Sequence, residues 1–496
     1  MGFIFFRMTI KNQIVRLHRW FGLVMCLFFT AWFISGFVMM YVDFPQYRTK
    51  ERLARQQPLS LNAVTFPPGQ LLHSLKQDKA WKQVWINMLL NRPVIRLQDN
   101  EGELLMFYAD NGLPVPSISS DEAATIARNY FSGRYWPSRI EAISELDQWI
   151  PRSSFLVHMP IYRASMDDPD KTVIYISSIT GEIIQLHTQS ERILAWCGPI
   201  IHWIYPKELI LRRPLWRGVV IFFSSLGIVA SVTGIVVGII RVKKNKRGYV
   251  SPYRQKWFRW HHYTGFIFGL FVCTWVFSGL LSMSPFDWSP DVEISEQDNR
   301  QLQGGDLQIR SFTQPAAVAF ATINPAFSPV EIEFMRFQGK DYYIIYNSKG
   351  QKLMSVADTV CKHVIPSLPE ADIIRAIRSL HPNDHPSDIG LIHHEDNYYY
   401  TKHNDIQLPV LRIKYGSANQ TWYYADEVTG KILLKNNASS RMNRWLYHGL
   451  HSLDFFNLQH RRPVWDLLMI FLLTGGTALN ITGLVIGWKY ARRMKK

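Results

Sequence analysis

The chain carries the same residue pattern twice, and this repetition limits the folds that it can adopt. The segment Leu17–Gly22 opens an apolar stretch containing Trp32, Ser35 and Gly36, and Trp260–Gly265 opens a second stretch with Trp275, Ser278 and Gly279 at the same spacing. In a second set of matches, each later residue lies 249 positions after the earlier one. These are His202, Arg212, Arg213, Pro214, Trp216, Thr233 and Gly234, matched by His451, Arg461, Arg462, Pro463, Trp465, Thr482 and Gly483. The sequence therefore predicts a tandem duplication with histidines at equivalent positions of its halves.

Four stretches are long and apolar enough to cross a membrane. Each holds roughly 20 or more mostly apolar residues, which matches a hydrocarbon core of about 30 Å. They are Trp20–Val42, Trp216–Ile240, Thr264–Met283 and Val464–Tyr490. The first is too long for the core of a signal peptide and no small-residue cleavage site follows it, so we expect it to remain as a helix.

The net charge of +16 is concentrated at the ends of these stretches. Basic residues precede the first stretch, fill the link 241–259 without any Asp or Glu, and follow the fourth stretch. The positive-inside rule places such clusters in the cytoplasm. We therefore expect both termini in the cytoplasm, two large segments outside it, and membrane lipids rather than nucleic acid as the partner of the basic residues.

The spans divide the chain into five predicted regions. These are 1–42 with the first membrane helix, 43–212 as a first external module, 213–283 with the second and third membrane helices, 284–462 as a second external module, and 463–496 with the fourth helix and a tail. The predicted fold class is a membrane protein of α+β type, a quasi-symmetric four-helix bundle with two external α+β modules. Cys197 and Cys361 lie in the external regions at unmatched positions, so no disulfide framework is expected.

The sequence of each external region predicts a small α+β module with a β-hairpin. In the first, Ser120, Asp121 and Glu122 predict the cap of a helix over Ala123–Phe131. Stretches rich in β-branched and aromatic residues then predict strands. These stretches are Phe155–Tyr162 and Thr172–Ile184, the latter turning at Thr180–Glu182, and in the second half Leu408–Tyr415 and Trp422–Leu434, the latter turning at Thr429–Lys431.

The paired hairpins and flanking helices resemble the PepSY-associated transmembrane family of bacterial inner-membrane proteins. The segment Trp445–Asp454 is similar to the family's segment before its last helix. The resemblance covers nearly the whole chain and implies an inner-membrane, iron-regulated protein. The family that the chain resembles includes ferric-siderophore reductases that carry b-type haem.

The matched histidines fit the ligand requirement of haem b, which needs two imidazoles facing each other across the iron. His18 and His261 start their helices, whereas His202 and His451 precede the opposite ends of the other two. A helix of 20 residues spans about 30 Å, so histidines at opposite ends cannot share a metal. The sequence predicts two haem b groups, bound by His18 with His261 on the inner side and by His202 with His451 on the outer side. No Cys-x-x-Cys-His motif for covalent attachment is present.

Some candidate ligands have alternatives. His262 lies beside His261, so the inner pair is open by one residue. His448 shares a helix face with His451. It is an alternative ligand, a hydrogen-bond partner near the outer haem, or a residue with a packing role only. All of these histidines also suit the membrane interface, where amphipathic side chains keep a polar tip in the headgroups.

Arg213 and Arg462 are candidate partners of the haem propionates, because guanidinium binds carboxylates in a bidentate manner. Anchoring in the lipid headgroups is the alternative for both. Trp32 and Trp275 suit packing between the haems or ordinary aromatic packing in the bundle core.

A histidine-rich stretch in the second external region is a further candidate metal site. It contains His381, His385, His393, His394, Glu395, Asp396 and His403. Imidazole and carboxylate bind transition metals, but the spacing matches no zinc motif. We expect a solvated loop, with transient iron capture as the alternative.

The predicted function is transfer of electrons outward across the membrane to ferric iron, with a ferric siderophore as the expected acceptor. Reduction weakens the complex because Fe(II) is a poorer partner for hard oxygen ligands. No Gly-x-Gly-x-x-Gly motif between a strand and a helix is present, so the donor is expected to be a quinol or a separate cytoplasmic reductase.

Two other functions are compatible with the sequence. PepSY-like modules imply, by resemblance, a membrane-anchored regulator or inhibitor of extracytoplasmic peptidases without redox activity. An iron transporter is the other, but the spans carry no Asp, Glu, Lys or Arg at mid-depth, where ion paths usually have them.

Overall fold

A computed structural model describes residues 10–75, 79–245, 248–289, 292–357, 364–401, 406–416, 420–455, 458 and 461–494. The chain packs as two compact units. The helical unit comprises Met1–Phe44, Glu191–Asp291 and Ser439–Lys496, and the sheet unit comprises Pro45–Ser190 and Val292–Ala438. Each unit therefore combines residues from both halves of the sequence.

Four long apolar helices build the helical unit, and we number them membrane helices 1 to 4. They are Ile10–Met39, Arg213–Arg241, Lys256–Leu281 and Val464–Met494. All four have the length and apolar composition to cross a membrane, which supports a membrane-associated protein with four candidate spans. Membrane helix 1 extends further toward the N-terminus than predicted. Helices 1 and 3 each pack against helices 2 and 4, so helices 1 and 3 lie diagonally across the bundle.

Aromatic rings fill the middle of the bundle where glycines allow close approach. Gly227 lies against Phe29, to which a Cβ at that glycine would come within 3.1 Å, and Gly476 lies directly against Phe33. Phe33 also packs on Trp275, with ring centroids 5.3 Å apart. The centre of the bundle is therefore a dense apolar layer.

Short elements lead into membrane helices 2 and 4. Helix 2 follows the helices Gln189–Cys197, Pro199–His202 and Lys207–Ile210, and helix 4 follows Ala438–Asn443, the π-helical Arg444–Gly449 and Leu450–Ser452. Trp216 Nε1 donates to the Trp203 carbonyl, and Trp465 Nε1 donates to the Ser452 carbonyl, both at 2.9 Å. These matching bonds fix each short segment to the membrane helix that follows it.

The described strands number seventeen. They are β1 Trp81–Leu89, β2 Arg92–Asp99, β3 Leu104–Tyr108, β4 Pro137–Ile143, β5 Ile161–Met166, β6 Val173–Ser177, β7 Ile183–His187, β8 Lys243–Asn245, β9 Gly248–Val250, β10 Pro329–Phe337, β11 Lys340–Asn347, β12 Lys352–Val356, β13 Val364–Ile365, β14 Pro386–Ile392, β15 Val410–Tyr415, β16 Trp422–Asp426 and β17 Ile432–Asn436. Strands β8 and β9 form a hairpin between membrane helices 2 and 3.

A seven-stranded antiparallel sheet joins the two halves within the sheet unit. Its order is β13-β12-β11-β10-β1-β2-β3. Strand β1 of the first half pairs with β10 of the second, with Ile86 opposite Ile332. Both external regions thus contribute to one sheet.

Two four-stranded sheets, β4-β5-β6-β7 and β14-β15-β16-β17, each follow a helix. These helices are Ser120–Tyr130 and Glu370–Ser379. The other described α-helices of this unit are Thr49–Arg55, Leu72–Leu75, Glu296–Gln303 and Ala316–Ala319. The capping prediction is wrong by one residue: the cap is Ser119, whose Oγ accepts from the Glu122 amide while the Glu122 carboxylate accepts from the Ser119 amide.

Side chains alternate between the two faces of the seven-stranded sheet. On one face, Ile95 belongs to a core with Phe312 and Tyr343. On the other face, Val94 packs with the first four-stranded sheet and its helix, and Ile344 packs with the second. The four-stranded sheets therefore cover the same side of the large sheet.

The two predicted turns anchor their hairpins to the large sheet. Gly181 and Gly430 have φ of +66° and +70°, and a Cβ at Gly430 would lie 2.8 Å from Phe337. The following residues continue the contact, since Glu182 accepts from Asn87 Nδ2 at 2.9 Å and Lys431 binds Glu333 at 2.5 Å. The predicted strand Phe155–Tyr162 is wrong, because Ser153–His158 forms a 3-10 helix and the strand begins at Ile161.

Candidate functional site

The four matched histidines form two facing pairs in the helical unit. His18 of membrane helix 1 faces His261 of membrane helix 3, with ring centroids 6.2 Å apart. His202, before membrane helix 2, faces His451, before membrane helix 4, at 5.9 Å. The structure therefore brings together the same partners that the repeat pattern predicts.

The separation of the rings suits a metal between two imidazoles. A metal–imidazole bond is about 2 Å long. With ring bonds of about 1.3 Å, a ring nitrogen lies about 1.1 Å from the ring centroid. A metal held in line between two rings therefore places their centroids about 6 Å apart.

In the outer pair, each imidazole bonds to a membrane helix through Nδ1. His202 Nδ1 lies 3.2 Å from the Trp32 carbonyl and 3.1 Å from Ser35 Oγ. His451 Nδ1 lies 3.1 Å from the Trp275 carbonyl and 3.0 Å from Ser278 Oγ. The repeated tryptophans thus contribute through their backbone, which the sequence does not reveal.

The inner pair uses the other two membrane helices. His18 Nδ1 lies 3.1 Å from the Ala230 carbonyl. His261 Nδ1 lies 3.3 Å from the Leu479 carbonyl and 3.0 Å from Thr482 Oγ1.

The carbonyl contacts assign the tautomer of all four rings. A carbonyl oxygen only accepts hydrogen bonds, so each Nδ1 must carry the proton. The lone pair is then on Nε2, and a bond from the second ring nitrogen to a carbonyl is the usual support of a metal-binding histidine. Burial is the main cause that lowers the pKa of His202 to about 3, and the neighbouring His451 lowers it further. The ring is therefore neutral, as a metal ligand must be.

Glycines give the rings room against the helices. The nearest ring atom to a Cβ built at Gly234 is His18 Cε1 at 2.7 Å, and at Gly483 the distance to His261 Cε1 is 3.4 Å. At Gly279, His451 Cε1 would be 3.5 Å away. A Cβ at Gly234 would therefore displace the His18 ring, whereas at Gly279 and Gly483 it would make an ordinary van der Waals contact with the imidazole.

The two alternative histidines have other ring contacts. His262 Nε2 bonds to the Gly238 carbonyl at 2.9 Å and its ring packs against Tyr253. The His448 ring packs against Tyr447, with centroids 4.6 Å apart. The geometry therefore favours His261 and His451 as the members of the pairs.

The two arginines differ in their surroundings. Arg462 Nη1 bonds to Asp466 at 2.7 Å and its guanidinium lies over the Trp465 ring. Arg213 is exposed at the start of membrane helix 2. Asp466 thus competes with any other carboxylate for Arg462.

The histidine-rich stretch of the second half does not form a metal site in the described part of the chain. His381 stacks on Tyr415 and bonds to the Tyr423 hydroxyl, while Asp396 binds Arg412 and Tyr424. No group of three or more His, Cys, Asp or Glu side chains among the described residues could hold a metal ion. His403 and Cys361 lie outside the described residues.

The donor sets fit haem better than a bare metal ion. Each pair offers two imidazoles, and the four nitrogens of a porphyrin would supply the other ligands of the iron. Sequence reasoning missed the hydroxyls of Ser35, Ser278 and Thr482 as partners of the rings, although Ser35 matches Ser278 and Thr233 matches Thr482 in the repeat. That recurrence is the signal that could have found them.

Comparison with known proteins identifies the family. A search of curated proteins gives no match. The family model described as "PepSY-associated TM region" matches residues 15–490. The chain therefore belongs to the family of proteins with a PepSY-associated transmembrane region.

Proposed function

We propose that this chain is a di-haem b protein of the bacterial inner membrane that transfers electrons outward to ferric iron, with a ferric siderophore as the expected substrate. The single observation that carries the proposal is the pair of facing imidazoles at each end of the bundle, 6.2 and 5.9 Å apart. An anchor or a peptidase regulator needs no such pairs.

In this proposal the protein's residues fix the ligands and insulate them. Haem, when bound, supplies one-electron redox chemistry. His18, His261, His202 and His451 would hold it through Nε2, while the carbonyls behind them set the ring orientation.

The two sites are separated along the bundle. His18 and Ser35, which contacts His202, are 17 positions apart on membrane helix 1. At 1.5 Å per residue this separates the two levels by about 25 Å. The apolar layer of Phe29, Phe33 and Trp275 lies between them and would exclude water from the path.

The orientation follows from charge. The basic link and tail would place the His18–His261 pair near the cytoplasm and the His202–His451 pair near the outer face. We further propose that the halves are structural repeats and that the two helix-and-sheet assemblies of the sheet unit are PepSY modules. The electron donor would be a quinol or a cytoplasmic reductase.

The test is a reduced-minus-oxidised absorption spectrum of the purified full chain with haem counted per chain. We expect two low-spin b-type haems, one remaining in His451→Ala, and both remaining in the matched control His448→Ala. His393→Ala with His394→Ala should leave the spectrum unchanged.

Activity is measured in proteoliposomes with a ferric chelate on one side and a reductant on the other. His451→Ala should abolish reduction of the ferric chelate, and His448→Ala should leave it unchanged. Protein from haem-replete cells that contains no haem would refute the proposal and favour the peptidase regulator.

A further inference from the structure

We propose that Ser35, Ser278 and Thr482 are positioning residues that hold three of the four imidazoles, and that His18, which has no such hydroxyl partner in the described part of the chain, is the most weakly held ligand. This inference rests on the proposed function, in which the four histidines bind haem. It adds an asymmetry that the repeated histidines do not suggest.

In the outer pair, each serine forms a closed triangle with a ring and a carbonyl. Ser35 Oγ donates to the Trp32 carbonyl at 3.1 Å and lies 3.1 Å from His202 Nδ1. Ser278 Oγ donates to the Trp275 carbonyl at 2.9 Å and lies 3.0 Å from His451 Nδ1. Since a hydroxyl has one proton and that proton points at the carbonyl, its oxygen accepts from Nδ1–H.

The inner pair has this triangle on one side only. Thr482 Oγ1 donates to the Leu479 carbonyl at 2.7 Å and lies 3.0 Å from His261 Nδ1. Thr233 is its match in the first half, but its hydroxyl donates to the carbonyls of Val229 and Ala230 at 2.6 and 3.1 Å. Among the described residues, His18 Nδ1 contacts the Ala230 carbonyl at 3.1 Å and no hydroxyl.

The second acceptor restricts the rotation of a ring. A single carbonyl permits the imidazole to swing about one hydrogen bond, whereas a carbonyl and a hydroxyl together define its plane. A lost hydrogen bond of this kind corresponds to about a fivefold change in an equilibrium, from about 1 kcal/mol. We therefore expect His18 to leave the iron more readily than the other three ligands.

The experiment measures carbon monoxide binding to the dithionite-reduced protein, because a six-coordinate haem takes up carbon monoxide only after a histidine dissociates. In the wild type the faster phase should belong to the inner haem. Thr482→Ala should accelerate that phase about twofold, because a loss of about 1 kcal/mol makes His261 leave about as readily as His18, and Ser278→Ala should accelerate the slower phase. Thr233→Ala is the matched control and should change neither phase. Thr482→Ser, which keeps the hydroxyl, should restore the wild-type rate.

A second measurement does not depend on haem. Ring-¹⁵N NMR of the haem-free full chain should show the Nδ1–H tautomer for His261 and His451, with exchange broadening of His261 in Thr482→Ala and not in Thr233→Ala. Equal effects of Thr482→Ala and Thr233→Ala, or an Nε2–H tautomer, would overturn the inference. A protein with these tautomers that binds no haem would refute the proposed function and leave the positioning contacts standing.

Discussion

Glu182 is expected to be a main anchor of the first four-stranded sheet on the seven-stranded sheet. Its Oε1 accepts from Trp85 Nε1 at 3.0 Å and Asn87 Nδ2 at 2.9 Å. Nearby Arg96, 1 % exposed, donates twice to the Thr180 carbonyl. Replacing Glu182 by Ala leaves Trp85 Nε1 without this acceptor and Asn87 Nδ2 with Glu331 alone, and it removes one of the two carboxylates near Arg96.

The expected cost follows from these contacts. Hydrogen bonds to a charged acceptor contribute about 1.5–3 kcal/mol each, and removal of one member of a buried ionic network costs about 3–5 kcal/mol. We therefore expect Glu182→Ala to lower the local unfolding free energy by about 3–5 kcal/mol. Glu182→Gln keeps the acceptor oxygen and should cost about 1–3 kcal/mol.

The effect should depend on pH. Burial raises the pKa of Glu182, but the charges of Arg96 and Arg52 and the bonds from Asn87 and Trp85 outweigh it, and the net shift is below the ordinary value of 4.5. A carboxylate with a lowered folded-state pKa stabilises the fold above its unfolded pKa and loses that contribution in acid. The difference between wild type and Glu182→Gln should be constant near neutrality and shrink as the pH falls below 4.5.

Hydrogen exchange of the full chain in detergent micelles measures this local stability. Amides of β7 should exchange more than about 100-fold faster in Glu182→Ala, the equivalent of about 3 kcal/mol. Lys431→Ala is the matched control, because Lys431 occupies the same turn position and is 38 % exposed, where an ion pair contributes about 0–1 kcal/mol. Equal effects of the two substitutions would refute the reasoning.

Three further substitutions test other contacts. Gly430→Ala should destabilise the second hairpin by about 1–3 kcal/mol, because of its positive φ and the nearby Phe337 ring, which hydrogen exchange of β16 and β17 would detect. Ser119→Ala should cost about 1 kcal/mol in the stability of the helix that it caps, measured by thermal unfolding, and an unchanged melting temperature would contradict this. Gly234→Ala should displace His18 and remove one haem of the two, and a full haem count would contradict this.

The sequence predicts the local features of this fold well. The spans follow from uninterrupted apolar length, and the hairpin turns follow from Thr-Gly pairs with alternating residues on either side. The error at Phe155–Tyr162 arises because apolar and aromatic content alone does not separate a strand from a partly exposed 3-10 segment. The one-residue error at Ser119 arises because Ser119 and Ser120 are both capping residues.

The remaining features depend on distant parts of the chain. The pairing of β1 with β10 leaves no local signal, since strand register between remote segments is set by the assembled sheet. The acceptors behind the histidines include the backbone carbonyls of Ala230 and Leu479, which carry no sequence signature. The histidine pairs could be predicted because chemistry and repetition coincide at the same positions.

The joint between β1 and β10 has a consequence for synthesis. Strand β10 begins 240 residues after β1 ends, and membrane helices 2 and 3 are made in between. At about 5–20 residues per second, β1 waits roughly 10–50 s for its partner. During that time its unpaired backbone edge is open to other chains, so a nascent chain stalled after membrane helix 3 should be especially prone to aggregate.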